Sequence, residues 1–171
     1  MQNKIISIAI LLVLCFGCFY FVSFNSGKHP KRTNSSIIKP RGFINDFENI
    51  LTDSEENSLL TITKLHESNT TNQIAIVTLD SLYKYPNFEL YTLAIANNWG
   101  VGTAKKDNGV LIAVSKKMRK IRIQVGDGLR YSLTDKECQY IIDSTIIPRI
   151  KTGKYYEGIR AGLNAVIDEL D

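Results

Sequence analysis

Hydrophobic positions divide the chain into one long apolar run and a series of short patterned segments. Ile5 to Phe24 holds twenty residues without a charge, which as a helix at about 1.5 Å per residue spans roughly 30 Å, the hydrocarbon thickness of a bilayer. Further on, Leu59, Leu60, Ile62 and Leu65 recur at helical spacing behind Thr52-Asp53-Ser54-Glu55, a capping box that predicts a helix to about Ser68. Gln73 to Leu79 is short, β-branched and almost wholly apolar, so it predicts a strand covered on both faces in the middle of a sheet. Phe88 to Trp99, closed by Gly100, reads as a second helix.

The strand patterns Gly109–Ser115 and Lys120–Val125 flank a polar Lys116-Lys117-Met118-Arg119 turn and predict a hairpin. In the second of these strands Ile121, Ile123 and Val125 alternate with Arg122 and Gln124, so one face is expected to meet solvent or a loop. Thr134-x-x-Glu137 is another capping box, and helical spacing continues from Cys138 to Ile146 until Pro148 is expected to interrupt it. Tyr155, Ile159, Leu163, Val166, Ile167 and Leu170 mark a last amphipathic helix. With a short extended segment at Gly42–Asp46, the order predicts an α/β layered sandwich: a mixed sheet with a β-hairpin, flanked by helices and preceded by one N-terminal transmembrane helix.

Three regions follow: a signal anchor over 1–26, a flexible basic tether over 27–40, and a domain over 41–171. The apolar run exceeds the usual core of a cleaved signal peptide and lacks an A-x-A-like site, which favours an uncleaved anchor. Gly17-Cys18 keeps a lipoprotein signal open as the alternative. Cys15 and Cys18 have C-x-x-C spacing but sit within the apolar run, and Cys138 is the lone thiol of the domain, placed on an apolar helix face.

The net charge of +4 changes the picture only through its distribution. Six basic residues and no acidic one precede Gly42, leaving fifteen basic against seventeen acidic residues from there on. A domain that neutralised phosphates would show the opposite balance, so no nucleic-acid partner is expected. Basic residues after the apolar run favour a cytoplasmic domain by simple count, and they also suit anionic headgroups. Long domains translocate despite such charge, which weakens that count, and a single-pass protein with an extracytoplasmic domain is the expectation, on the resemblance given below.

Candidate chemistry lies in three loops rich in Gly, Asp and Asn: Asn45-Asp46, Trp99 through Gly109, and Gly126-Asp127-Gly128-Leu129. Turn formation alone accounts for such residues. The second and third loops bracket the hairpin and fall at one sheet end. If the Asp46 loop joins them, Asp46, Asp107, Asn108 and Asp127 supply the oxygen ligands that Ca²⁺ requires. Phosphatase chemistry finds little support in the residues themselves. Ser144 stands where a Cys-x5-Arg motif needs Arg, there is no Asp-x-Asp pair, and His29 in the tether and His66 on a helix are the only histidines.

The run Asn45-Asp46, Asn98-Trp99-Gly100-Val101-Gly102, Asp107-Asn108-Gly109-Val110-Leu111-Ile112, Val125-Gly126-Asp127-Gly128-Leu129, Leu133-Thr134-Asp135 and Ile147-Pro148 closely resembles the TPM domain. The resemblance covers about Gly42 to Leu170. It implies a sheet flanked by helices and an exported or membrane-anchored protein of the envelope, with calcium binding and acid phosphatase activity among the family's associations and photosystem II repair among its roles in plants. Asp46, Asp107 and Asn108 match the family's acidic loop positions. Asp127 stands where an aromatic residue is common, and Arg130 where an acidic one is, bringing a cation toward the acidic loops. Two functions follow as expectations. One is a membrane-tethered interaction or assembly module with an envelope protein partner and a Ca²⁺ site; the other is a phosphomonoester hydrolase with Arg130 as a phosphate contact.

Overall fold

The computed structural model describes residues 37–171. The expected anchor, Cys15, Cys18, His29 and most of the expected tether lie outside the described residues. No helix among the described residues is long and apolar enough to cross a membrane.

Four strands form one sheet in the order β1-β2-β3-β4: β1 (Ile44–Asp46), β2 (Gln73–Thr78), β3 (Gly109–Ser115) and β4 (Lys120–Val125). The first three run parallel and β4 returns antiparallel from β3. Chain order explains this pattern. Helix α1 (Asp53–Thr70) carries β1 to β2, helix α2 (Phe88–Trp99) carries β2 to β3, and such crossovers give parallel neighbours, whereas a tight turn joins β3 to β4. The sheet is therefore mixed, as its sequence pattern predicts.

Both sheet faces are covered. On one, Ile74, Ile76, Val110, Ile112, Val114 and Ile123 pack with Leu59 of α1 and with the C-terminal helices. On the other, Ala75, Val77, Leu111 and Ala113 pack with Phe88, Tyr91 and Ile95 of α2. This is why β2 and β3 read as unbroken apolar runs, and each fully buried Ile or Leu contributes about 1.5–3 kcal/mol. Ile37 and Ile38, read as tether from sequence, pack against this second core, and the Trp99 indole N–H donates to the Ile38 carbonyl at 2.7 Å.

The polar face of β4 is not left to solvent. Arg122 pairs with Glu89 at 3.0 Å, and the Gln124 amide donates to the Glu89 carbonyl at 3.1 Å and to Thr92 Oγ1 at 2.9 Å, so α2 docks on β4 through polar contacts. A strand pattern reports which face is polar; it does not report what covers it.

Both expected capping boxes form, at Thr52/Glu55 for α1 and at Thr134/Glu137 for α3 (Asp135–Tyr140). Pro148 does not end the helical run as its missing N–H suggested. The chain widens into a π-helical segment over Ile141–Ile146 and resumes as α4 (Ile147–Ile150) with Pro148 in its first turn. Proline lacks an N–H and its ring clashes with the carbonyl four residues back, and i→i+5 bonding relieves both; the Ile147 N–H reaches the Ile142 carbonyl. Helix α5 (Tyr155–Leu170) closes the core with Ile159, Leu163 and Val166.

Candidate functional site

The parallel registers decide where the candidate residues go. Asp46 aligns with Thr78 and Thr78 with Val114, at the C-terminal ends of β1 to β3. Asp107 and Asn108 precede Gly109, which aligns with Gln73 at the other end, and Val125 before Asp127 aligns with Val110 there. Five strand steps separate Gly109 from Val114, about 16 Å at ~3.3 Å each. Asp107, Asn108 and Asp127 come together, and the Asp46 loop does not join them. A strand–helix–strand connection sends Asp46 to the opposite sheet end.

Asp46 is buried, and its carboxylate is consumed by the fold. Oδ1 accepts a short hydrogen bond from the Thr78 hydroxyl, and Oδ2 accepts from the Leu51 N–H at 2.7 Å. The Thr78 hydroxyl accepts in turn from the Glu48 N–H at 2.9 Å. Glu48 then caps the hairpin turn, accepting from the Lys116 N–H at 2.8 Å and the Lys117 N–H at 3.0 Å. Asp46, Thr78 and Glu48 thus lock β1, β2 and the β3–β4 turn together. Local spacing gave no sign of Thr78 or Glu48, because their partners lie some 30 and 70 residues away in sequence.

At the opposite end Asn108 is buried and fully engaged. Its Oδ1 accepts from the N–H and hydroxyl of Thr103, at 3.0 and 3.1 Å, and its amide donates to the Thr71 carbonyl at 2.8 Å and to Asn72 Oδ1 at 3.2 Å. Two donors and two acceptors are all an amide offers. Asn108 therefore ties the Thr103–Asn108 loop to the turn between α1 and β2.

Asp107 and Asp127 are exposed and adjacent. Asp107 Oδ2 accepts from the Asp127 N–H at 3.1 Å, and Asp127 Oδ1 accepts from Arg130 Nε at 2.5 Å. The loops carrying them touch backbone to backbone. A Cβ on Gly109 would lie 2.0 Å from the Val101 carbonyl oxygen, and one on Gly128 would lie 1.9 Å from that of Lys106, so only glycine permits the approach. These glycines, legible from sequence as turn residues, act as spacers between crossing loops.

The four expected ligands thus do not form one donor set. Ca²⁺ takes six to eight oxygens, while Asp46 is remote and Asn108 already spends its carbonyl oxygen. Asp107 and Asp127 remain, the latter bridged to Arg130. Among the described residues no group of three or more His, Cys, Asp or Glu is arranged to hold a metal ion.

Among the described residues the one thiol and the one imidazole are both withdrawn. Burial pushes the Cys138 thiol up to about 11, away from the thiolate form. His66 is buried on α1, where desolvation lowers its pKa against the opposing pull of Asp171, whose Oδ1 lies 3.6 Å from Nδ1. Neither side chain is among the residues that line the cleft at Asp107.

What stands open at this end is a mixed surface. Leu93 and Ala96 of α2 line a small cleft with Asp107, Gln124 and Gly126. Leu90, one turn before Leu93, is 46% exposed and Leu93 42%, while Tyr131, just beyond the Asp127 loop, is 99% exposed.

A TPM domain family model matches residues 44–169. The N-terminal domain of a P. gingivalis protein, solved in solution, is similar at 32% identity over 75% of this chain and 82% of that one, with a TM-score of 0.68. BA42 from Bizionia argentinensis is similar at 21% identity over 72% and 83% of the two chains, TM-score 0.62. The N-terminal domain of a Corynebacterium glutamicum protein shares the fold at 16% identity over 81% and 86%, TM-score 0.60. A search of curated proteins returns no match. The ordered loops, the mixed four-stranded sheet and the family match lead to one assignment: this chain belongs to the TPM domain family.

Proposed function

We propose that the chain is a membrane-tethered interaction module of the cell envelope, with its domain on the extracytoplasmic side and its docking edge at the Asp107–Asp127 end of the sheet. The observation that carries this reading is the exposed surface there: Leu93 lines a cleft with Asp107, Leu90 precedes it by one helical turn and Tyr131 follows Asp127 by four residues, all three exposed, on loops that meet backbone to backbone. Exposed aromatic and aliphatic anchors with polar groups around them are what a protein partner buries. The apolar run from Ile5 to Phe24 supplies the tether that the reading requires.

Hydrolysis of a phosphomonoester would need an activated nucleophile or a metal-activated water. Cys138 and His66 are buried, so neither stands where it could supply that nucleophile or base. Calcium enters this proposal only as a modulator at Asp107 and Asp127, where it would compete with Arg130.

The test is native electrophoresis of the full chain extracted from membranes in mild detergent. The account expects migration as a larger complex that Leu93→Asp with Tyr131→Ser reduces to the free species without loss of folding. A complex that survives both substitutions would place the docking edge elsewhere and overturn the proposal.

A further inference from the structure

At the sheet end opposite Asp107, the β3–β4 hairpin and the helical run from α3 to α5 enclose a groove of about 770 Å³. Small-molecule sites occupy roughly 300–1,000 Å³ and combine apolar walls with a few convergent polar groups. Val114, Ile121, Ile142, Ile147 and Ile150 supply apolar lining here. Ile121, Ile147 and Ile150 remain half-buried, so the fold itself leaves this surface incompletely covered.

The charged groups of the groove are unbalanced. Arg119, Lys120 and Lys151 line it and are exposed, and none of the ion pairs among the described residues uses them. Lys116 adds a fourth cation, its Nζ 5.4 Å from the centre of the Tyr155 ring, which is itself part of the lining. Asp143 is the acidic member of the lining, and its Oδ2 accepts from the Gln139 amide at 2.9 Å. The nearby Glu48 carboxylate has both oxygens on backbone N–H groups of the turn.

The backbone of the turn that carries Arg119 and Lys120 is held in place. Glu48 grips the turn, Ser115 Oγ accepts from the Met118 N–H at 3.1 Å, and Arg119 sits at φ 53°. On the facing wall, Ile142 and Asp143 belong to the π-helical segment, a rare geometry that recurs at binding sites. A cationic rim over an apolar trough matches a ligand that carries one anionic end and one apolar body.

We propose that this groove binds a single-chain anionic amphiphile taken up from solution, with its acyl chain along Ile121, Ile142, Ile147 and Ile150 and its carboxylate or phosphate head among Arg119, Lys120 and Lys151. A groove of this volume accepts the chain itself, which a lipid headgroup seated in a bilayer keeps in the membrane. The site lies at the sheet end away from the proposed docking edge, and each stands without the other.

The test uses the isolated domain, residues 35–171, a compact unit whose two cores close within it and whose relatives were solved in solution as domains. Dodecyl phosphate is titrated below its micelle concentration, with binding read by calorimetry and by amide shifts. The proposal expects one saturable site, with shifts at 115–121, Ile142 and 147–151. It expects about tenfold or greater weakening in Arg119→Glu/Lys151→Glu, whose exposed positions leave folding intact. Ile121→Thr, a second variant acting on the trough, should weaken the acyl ligand while leaving the weak response to inorganic phosphate unchanged. Dodecyl maltoside, with the same chain and no charge, should bind at least about tenfold more weakly. Absence of saturation, shifts centred on Leu90, Leu93 and Tyr131, or equal affinity for inorganic phosphate or an acidic peptide would each overturn it.

Discussion

Removing the Asp46 carboxylate should unfold the domain far more readily than a surface ligand would. In Asp46→Ala two hydrogen bonds to a buried carboxylate are lost, leaving the Leu51 N–H and the Thr78 hydroxyl without their partner. Hydrogen bonds to charged groups contribute about 1.5–3 kcal/mol each, so the expected loss is roughly 3–6 kcal/mol. Against a total stability of about 5–15 kcal/mol this is a large share. Thr78→Val removes the central hydroxyl at nearly constant shape and should cost about 1.5–3 kcal/mol. Because both act on one hydrogen-bonded chain, the double variant should fall short of additivity by about 0.5–3 kcal/mol. Urea denaturation of the isolated domain reads this directly, as a lowered midpoint with an unchanged slope. A loss below about 1 kcal/mol for Asp46→Ala, or strict additivity with Thr78→Val, would refute the structural role of Asp46. So would Ca²⁺ stabilisation abolished by Asp46→Ala in a domain whose intrinsic stability is unchanged.

Three further outcomes are expected. His66 has a folded pKa below its ordinary 6.5, so the unfolded chain binds the extra proton first; its contribution is intact above 6.5 and is lost as pH falls from 6.5 toward the folded value. His66→Gln should flatten that part of the stability–pH curve, and an unchanged slope would count against the assignment. Cys138, with its thiol pushed up to about 11, should resist a thiol reagent in the native domain at pH 8 and react on unfolding; rapid native labelling would contradict its burial. Gly128→Ala forces a Cβ to 1.9 Å from the Lys106 carbonyl oxygen, and the required loop shift should cost about 1–3 kcal/mol, visible as a lowered urea midpoint.

Much of the architecture was legible because its causes are local. Thr52 with Glu55 and Thr134 with Glu137 announce helix starts through contacts three residues apart. The unbroken apolar run of β2 reports burial on both faces, and the family resemblance reflected ordered loop motifs spread over the whole domain. Three features depended on what meets what across the fold. Arg122 and Gln124 looked solvent-facing because their partners, Glu89 and Thr92, sit on a separate helix. Pro148 looked like a stop because its missing N–H is visible in sequence, whereas the π-helical turns over Ile141–Ile146 that accommodate it are not. The Asp46 loop could be joined to the hairpin loops only if β1 were reversed, and the α1 crossover forbids that.

The candidate site was legible only in part. Gly and Asx residues mark where loops turn, and Asp107, Asn108 and Asp127 do share one sheet end. Which carboxylates remain available was not legible. Asn108 is spent on Thr71, Asn72 and Thr103, and Asp127 meets Arg130, contacts that depend on how the loops cross.

The most direct test of the interaction reading is site-specific photo-crosslinking of the full chain in intact membranes. A photoreactive residue replaces Tyr131 at the proposed docking edge, and in a parallel experiment replaces Lys64, an exposed position on α1. The account predicts a discrete crosslinked species from position 131, weakened by Leu93→Asp, and none from position 64. Crosslinking equal at both positions, or confined to position 64, would contradict it.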